Sequence, residues 1–197
     1  MNLTDRQRQI VDHAIEMIGE GGLASLTMRR LSDRLGVTEP ALYRHFENKT
    51  AILAAMILVL EAETYERLPF GKPVAPEALV THFNHLFNLL SERPALATIV
   101  FLDEFASADP ELQAMVRSLL SKNRERIANA FASMAPREND GTPPGTVPDA
   151  DSLATLLLGG IRLVVREWRL DGCSWNLGER GGRLVAALID TMKGRSE

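Results

Sequence analysis

Residues 26 to 49 read LTMRRLSDRLGVTEPALYRHFENK, and the punctuation of this stretch decides the fold. Thr27 is a helix cap, Met28, Leu31 and Leu35 fall on one helical face, and Gly36 stops the helix after two turns. Two residues on, Thr38 can cap again. Glu39 and Pro40 then occupy first-turn positions, where an acid is favoured and a missing N–H costs nothing. Ala41, Leu42, Tyr43 and Phe46 follow. The spacing predicts two short helices joined by Leu-Gly-Val, with Leu31, Leu35, Val37, Leu42 and Phe46 as the apolar wedge that fixes the angle between them. The outward face of the second helix is left to small, aromatic and polar side chains.

Helical periodicity continues on both sides. Ile10, Ala14, Met17 and Ile18, with Val11 and Ile15 alongside, predict a first helix over residues 4 to 20 that starts at Thr4 and ends at Gly19, Gly21 and Gly22. From Asn48, the residues Ile52, Leu53, Met56, Ile57 and Leu60 carry another helix towards Arg67, before Pro69, Gly71 and Pro73 break it. Further helices are expected over 76–91, about 94–107, 109–134, about 151–170 and 177–193. Residues 136–150 hold four prolines and two glycines and are expected to form a flexible loop. About nine helices and no strand make the class all-α. The expected division is a helix-turn-helix domain at 1–50 and a helical ligand-binding and dimerisation domain at 51–197.

The chain has 197 residues, 45% hydrophobic and 24% charged, which is ordinary globular usage and excludes a disordered or fibrous class. At this size about 70% of the unfolded surface can be buried, so no disulfide staple is needed. No run of apolar residues is long enough to span a membrane and no secretory signal is present, so a cytoplasmic location is expected. The single cysteine, Cys173, cannot pair internally; it reads either as a partly buried bystander or as a redox-sensitive thiol. The net charge is -4. Residues 1–50 are neutral, with seven basic and seven acidic side chains, so the excess acid lies in the larger part. The basic residues clustered at 29–49 can therefore present a local positive face.

A helix whose amino-terminal side chains point outward suits the major groove of duplex DNA, which is about 12 Å wide. The quoted stretch resembles the amino-terminal domain of TetR-family transcriptional regulators, through the run Leu-Gly-Val-x-x-Pro-x-Leu-Tyr-x-His and the Asn-Lys that follows. The likeness covers about residues 5–58. It implies that Thr27, Tyr43, His45 and Lys49 touch phosphates and that Arg29, Glu39, Pro40 and Ala41 approach bases, with Thr38 in the same surface. The side-chain chemistry agrees: hydroxyls and a lysine suit phosphate oxygens, Arg29 can fork onto guanine, and Pro40 or Ala41 can touch a thymine methyl. Glu39 can accept from cytosine or face water.

One such head covers only a few base pairs, so a homodimer on a double-stranded operator is expected. The last two helices offer Leu157, Gly160, Ile161, Val164, Trp168, Leu184 and Leu188 for dimerisation, a role the family likeness also implies. It further implies a repressor released by a small-molecule inducer. Apolar or amphipathic chemistry suits Met56, Phe83, Phe87, Phe101, Phe105 and Met115, with Arg162 as a polar partner. No cofactor and no membrane partner is expected. Two other readings stand beside this one. One is a DNA-bound factor that recruits another protein and has no inducer. The other is an all-α metalloenzyme using His82 and His85, three residues apart, with Glu104. It lacks a paired zinc motif, a nucleophile elbow and a phosphate-binding glycine loop.

Overall fold

The computed structural model describes residues 3–65, 75–99, 109–134 and 149–193. All regular structure among them is helical, as the periodicity predicts. The chain divides into two compact units, Met1–Glu63 with Arg93–Leu119, and Thr64–Glu92 with Leu120–Glu197. Among the described residues, no helix is long and apolar enough to cross a membrane.

In the first unit, α1 (Asp5–Gly21) starts at a full capping box between Thr4 and Gln7 and buries Ile10, Val11, Ala14, Ile15, Met17 and Ile18. Its end departs from expectation. Gly22, at φ 69°, closes the helix and donates to the Ile18 carbonyl at 2.8 Å, whereas Gly19 and Gly21 lie inside it. Gly19 has a packing role instead: a Cβ there would sit 2.7 Å from that of Ala95, at the approach of α6 (Leu96–Ile99). A 3-10 turn (Leu23–Ser25) leads to α2 (Met28–Leu35) and α3 (Glu39–Tyr43). The helix α4 (Lys49–Leu60), capped by Asn48, then runs into a π turn (Glu61–Tyr65), so the α-helix is shorter than the pattern to Arg67 suggests. Arg93 reaches both Asp12 of α1, at 2.6 Å, and Glu63, at 3.5 Å.

The second unit packs α5 (Pro76–Glu92) against α9 (Leu177–Lys193), and α9 against α8 (Ala150–Leu170). Glycine permits both approaches. A Cβ on Gly181 would lie 2.4 Å from the Phe87 ring, and one on Gly160 would lie 3.0 Å from Leu184. Asp149 caps α8, so the expected loop at 136–150 gives way to helix at its last residue, and 135–148 lie outside the described residues. The remaining helix, α7 (Pro110–Met134), contributes residues to both units. Of the helix expected at about 94–107, only Leu96–Ile99 is described.

Candidate nucleic-acid interface

The helix pair at residues 28–43 is built from caps inward. The Thr27 hydroxyl accepts from the Arg30 N–H at 3.2 Å and fixes the start of α2, while keeping its own proton to donate. Gly36 ends α2 in the left-handed region, at φ 65° and ψ 32°, and the Val37 N–H donates back to the Ser32 carbonyl at 3.0 Å. This is the sharp turn that only glycine makes without strain. Leu31, Leu42 and Phe46 are buried as the wedge requires, whereas Leu35 and Val37 are half-buried. Thr38 occupies the cap position of α3, yet its hydroxyl makes no capping hydrogen bond. Instead its carbonyl accepts from Ala41 and Leu42.

This framework leaves an outward face. Thr27, Arg29, Thr38, Pro40 and Tyr43 are exposed, and Glu39, Ala41, His45 and Lys49 are partly so. Tyr43 keeps 47% of its surface open, unusual for an aromatic residue beside a core. Charge is less evenly available than the sequence suggests. Arg34 turns towards α1 and forks onto Glu20 at 2.7 and 2.8 Å while reaching Glu16 at 3.2 Å. This pairing raises the Arg34 pKa and holds the Glu20 carboxyl below the usual carboxylate range. Arg30 lines the same cleft against α1 as Arg34, so the positive character of the face rests on Arg29 and Arg44, which are exposed and have no ion pair among the described residues.

Lys49 has a second engagement. Its ammonium donates to the Leu23 carbonyl at 3.1 Å, and burial lowers its pKa. Two further side chains, which the sequence does not mark, make long-range contacts within the first unit. Gln7 donates from Nε2 to the His45 carbonyl at 3.1 Å, and the Thr50 hydroxyl donates to Asp109 at 3.1 Å. The Thr4-x-x-Gln7 spacing announces the capping box; nothing in it announces the partner 38 residues away.

Residues expected to bind a ligand are divided between the units. Met56 is buried and Met115 half-buried in the first; Phe83 and Phe87 are buried and Arg162 half-buried in the second. Phe101 and Phe105 lie outside the described residues. Among those expected to dimerise, Leu157, Ile161, Val164 and Trp168 are buried within a single copy, whereas Gly160, Leu184 and Leu188 are partly exposed. The open apolar positions on α8 are others: Leu156, Leu163 and Leu170, at 61%, 57% and 78% exposure. His82 is buried and His85 half-buried on α5, while Glu104 lies outside the described residues.

A short helix, a left-handed glycine turn and a second short helix with an open polar face define a helix-turn-helix protein. Residues 10–56 match the family of bacterial regulatory proteins described as the tetR family. The match is confined to this amino-terminal domain, about a quarter of the chain. The chain is 32% identical to the class D tetracycline repressor protein of Escherichia coli over 90 residues, 46% of this chain but only 39% of that protein. A longer alignment joins it to the nucleoid occlusion factor SlmA of Marinomonas sp., at 22% identity over 82% of this chain and 84% of the relative. The fold is shared with the transcriptional regulator FadR from Bacillus subtilis, solved with stearoyl-CoA. The TM-score is 0.71 at 22% identity, over 92% of this chain and 97% of that one.

Proposed function

We propose that this protein is a homodimeric DNA-binding transcriptional repressor, released from a palindromic operator by a small apolar or amphipathic inducer. Residues 1–50 are the reading head and 51–197 the ligand-binding and dimerisation part. The observation that carries the reading is the open face of α2 and α3, where Thr27, Arg29 and Tyr43 are exposed around a turn fixed by Gly36. In this reading Thr27, Tyr43, His45 and Lys49 position the head on phosphates. Arg29, Glu39, Pro40 and Ala41, with Thr38 beside them, meet the base edges.

The dimer is assigned to α8 and α9, with the contact moved outward from the buried residues. Leu156, Leu163 and Leu170 recur every seventh residue and form one exposed stripe, while the opposite face of α8 already fills the protomer's own core. A helix apolar on both sides calls for a second cover. A twofold pair of copies supplies it and brings two heads to one duplex. Ligand response is supported by one polar group buried in an apolar interior. Asn123 is buried on the face of α7 that also buries Ile127 and Phe131, and its Oδ1 accepts no hydrogen bond among the described residues. Stearoyl-CoA in the similarly folded FadR has the same amphipathic character.

The second reading, a DNA-bound factor that recruits a protein and needs no inducer, draws on the long alignment with a nucleoid occlusion factor. Selection of bound fragments from random duplexes tests the common part of both readings. A short palindrome should emerge; recovery of no common sequence contradicts it.

A further inference from the structure

The helix α3 has five residues, little more than one turn, and a helix of that length does not hold its own direction in water. Its amino end is set by the Gly36 turn. Its other end presents backbone carbonyls that no further turn of helix satisfies. The His45 carbonyl lies there, two residues past Tyr43, in a bend where the His45 and Phe46 N–H groups both donate to the Leu42 carbonyl, at 2.9 and 3.2 Å.

Gln7 reaches this bend from the first turn of α1. Its Oε1 accepts from the Thr4 backbone N–H at 3.0 Å and from the Thr4 hydroxyl at 3.2 Å, while its Nε2 donates to the His45 carbonyl at 3.1 Å. The partners fix the orientation of the amide, because an N–H needs the oxygen and a carbonyl needs the nitrogen. A residue chosen for capping alone needs only the oxygen, and glutamate supplies it equally well. The nitrogen of Gln7 spans the two helices instead.

We propose that Gln7 is a positioning residue for DNA reading: its amide, held on Thr4 by one end and on the His45 carbonyl by the other, sets the Tyr43–His45 end of α3. Tyr43 is exposed and attached to the bend, so a tilt of the bend displaces its hydroxyl. Gln7 carries no charge, and its effect is therefore independent of phosphate neutralisation. This rests on the proposed DNA reading, although the tether itself can be tested without DNA.

The test compares Gln7→Met, which loses both ends of the amide, with Thr4→Ala, which loses the hydroxyl of the capping box and keeps the tether. Hydrogen exchange in the full-length free protein should speed up at the His45 and Phe46 amides in Q7M and stay unchanged there in T4A. On the selected duplex, Q7M should bind about tenfold more weakly, the equivalent of one hydrogen bond. The slope of log K against log salt should be unaltered. T4A should stay within about twofold of the native protein, since its loss is of a cap alone. Equal weakening by both variants, or unchanged exchange in Q7M, overturns the proposal. If the native protein binds no duplex, the DNA reading falls and the exchange arm still decides the tether.

Discussion

The ammonium of Lys49 lies 3.1 Å from the Leu23 carbonyl, so the first residue of α4 is tied to the 3-10 turn that delivers the chain to α2. A lysine at this place therefore serves the fold before it meets a phosphate. Lys49→Ala should cost about 1–2 kcal/mol of stability, the range for a charge-assisted hydrogen bond that is partly solvated. It should also weaken binding to all duplexes alike; urea unfolding and fluorescence anisotropy measure the two effects. Burial lowers the Lys49 pKa from its ordinary 10.5. Between the lowered value and 10.5 the unfolded chain binds more protons, so this group makes stability rise with pH across that window and K49A should remove the rise.

Arg34 and Glu20 form the opposite kind of pair, exposed and local to the back of α2. Arg34→Ala should change DNA affinity by less than about twofold, because its charge is already shared with Glu20 and Glu16. The depressed Glu20 pKa gives a pH signature. The contribution is present above the ordinary value of 4.5 and lost as pH falls through the folded value, so acid unfolding of R34A should lack that component.

Arg29 and Tyr43 should separate base reading from phosphate contact. Arg29→Ala should cost about 1–3 kcal/mol on the preferred sequence and relax preference at one position, whereas Tyr43→Phe should weaken every duplex uniformly. Binding to a panel of single-base operator variants distinguishes them.

Leu163 and Ile161 test which face of α8 meets the second copy. Leu163→Glu, at a position 57% exposed, should yield a folded monomer with unchanged helical content. Ile161→Glu, at 4% exposure, should unfold the protein through a buried charge. Sedimentation velocity and circular dichroism give both outcomes.

Asn123 carries a buried carbonyl oxygen without a partner among the described residues. Asn123→Leu should raise stability by about 1 kcal/mol or more, since an unsatisfied buried polar atom costs about 1–3 kcal/mol. Thermal unfolding checks the direction.

Most of the fold was legible because caps and periodicity are local. Thr4, Thr27, Gly36 and Asn48 mark their helix ends in the sequence as they do in space. What escaped the sequence is long-range. Gly19 reads as a helix terminator until Ala95 is seen against it, and Arg34 reads as part of a basic face until Glu20 is seen to hold it. Leu157 and Leu156 are neighbours with the same side chain, and only packing separates the buried one from the exposed one. Local pattern assigns a residue to a helix; which partner waits on each face is a property of the tertiary arrangement.

The most direct measurement is the stoichiometry and affinity of binding to the selected palindrome, beside the same duplex with one half-site scrambled. Two copies on the intact site, with a large loss of affinity on the scrambled one, is the result expected of paired reading heads. A single copy bound with equal strength to both duplexes, or no binding at low salt, would contradict it.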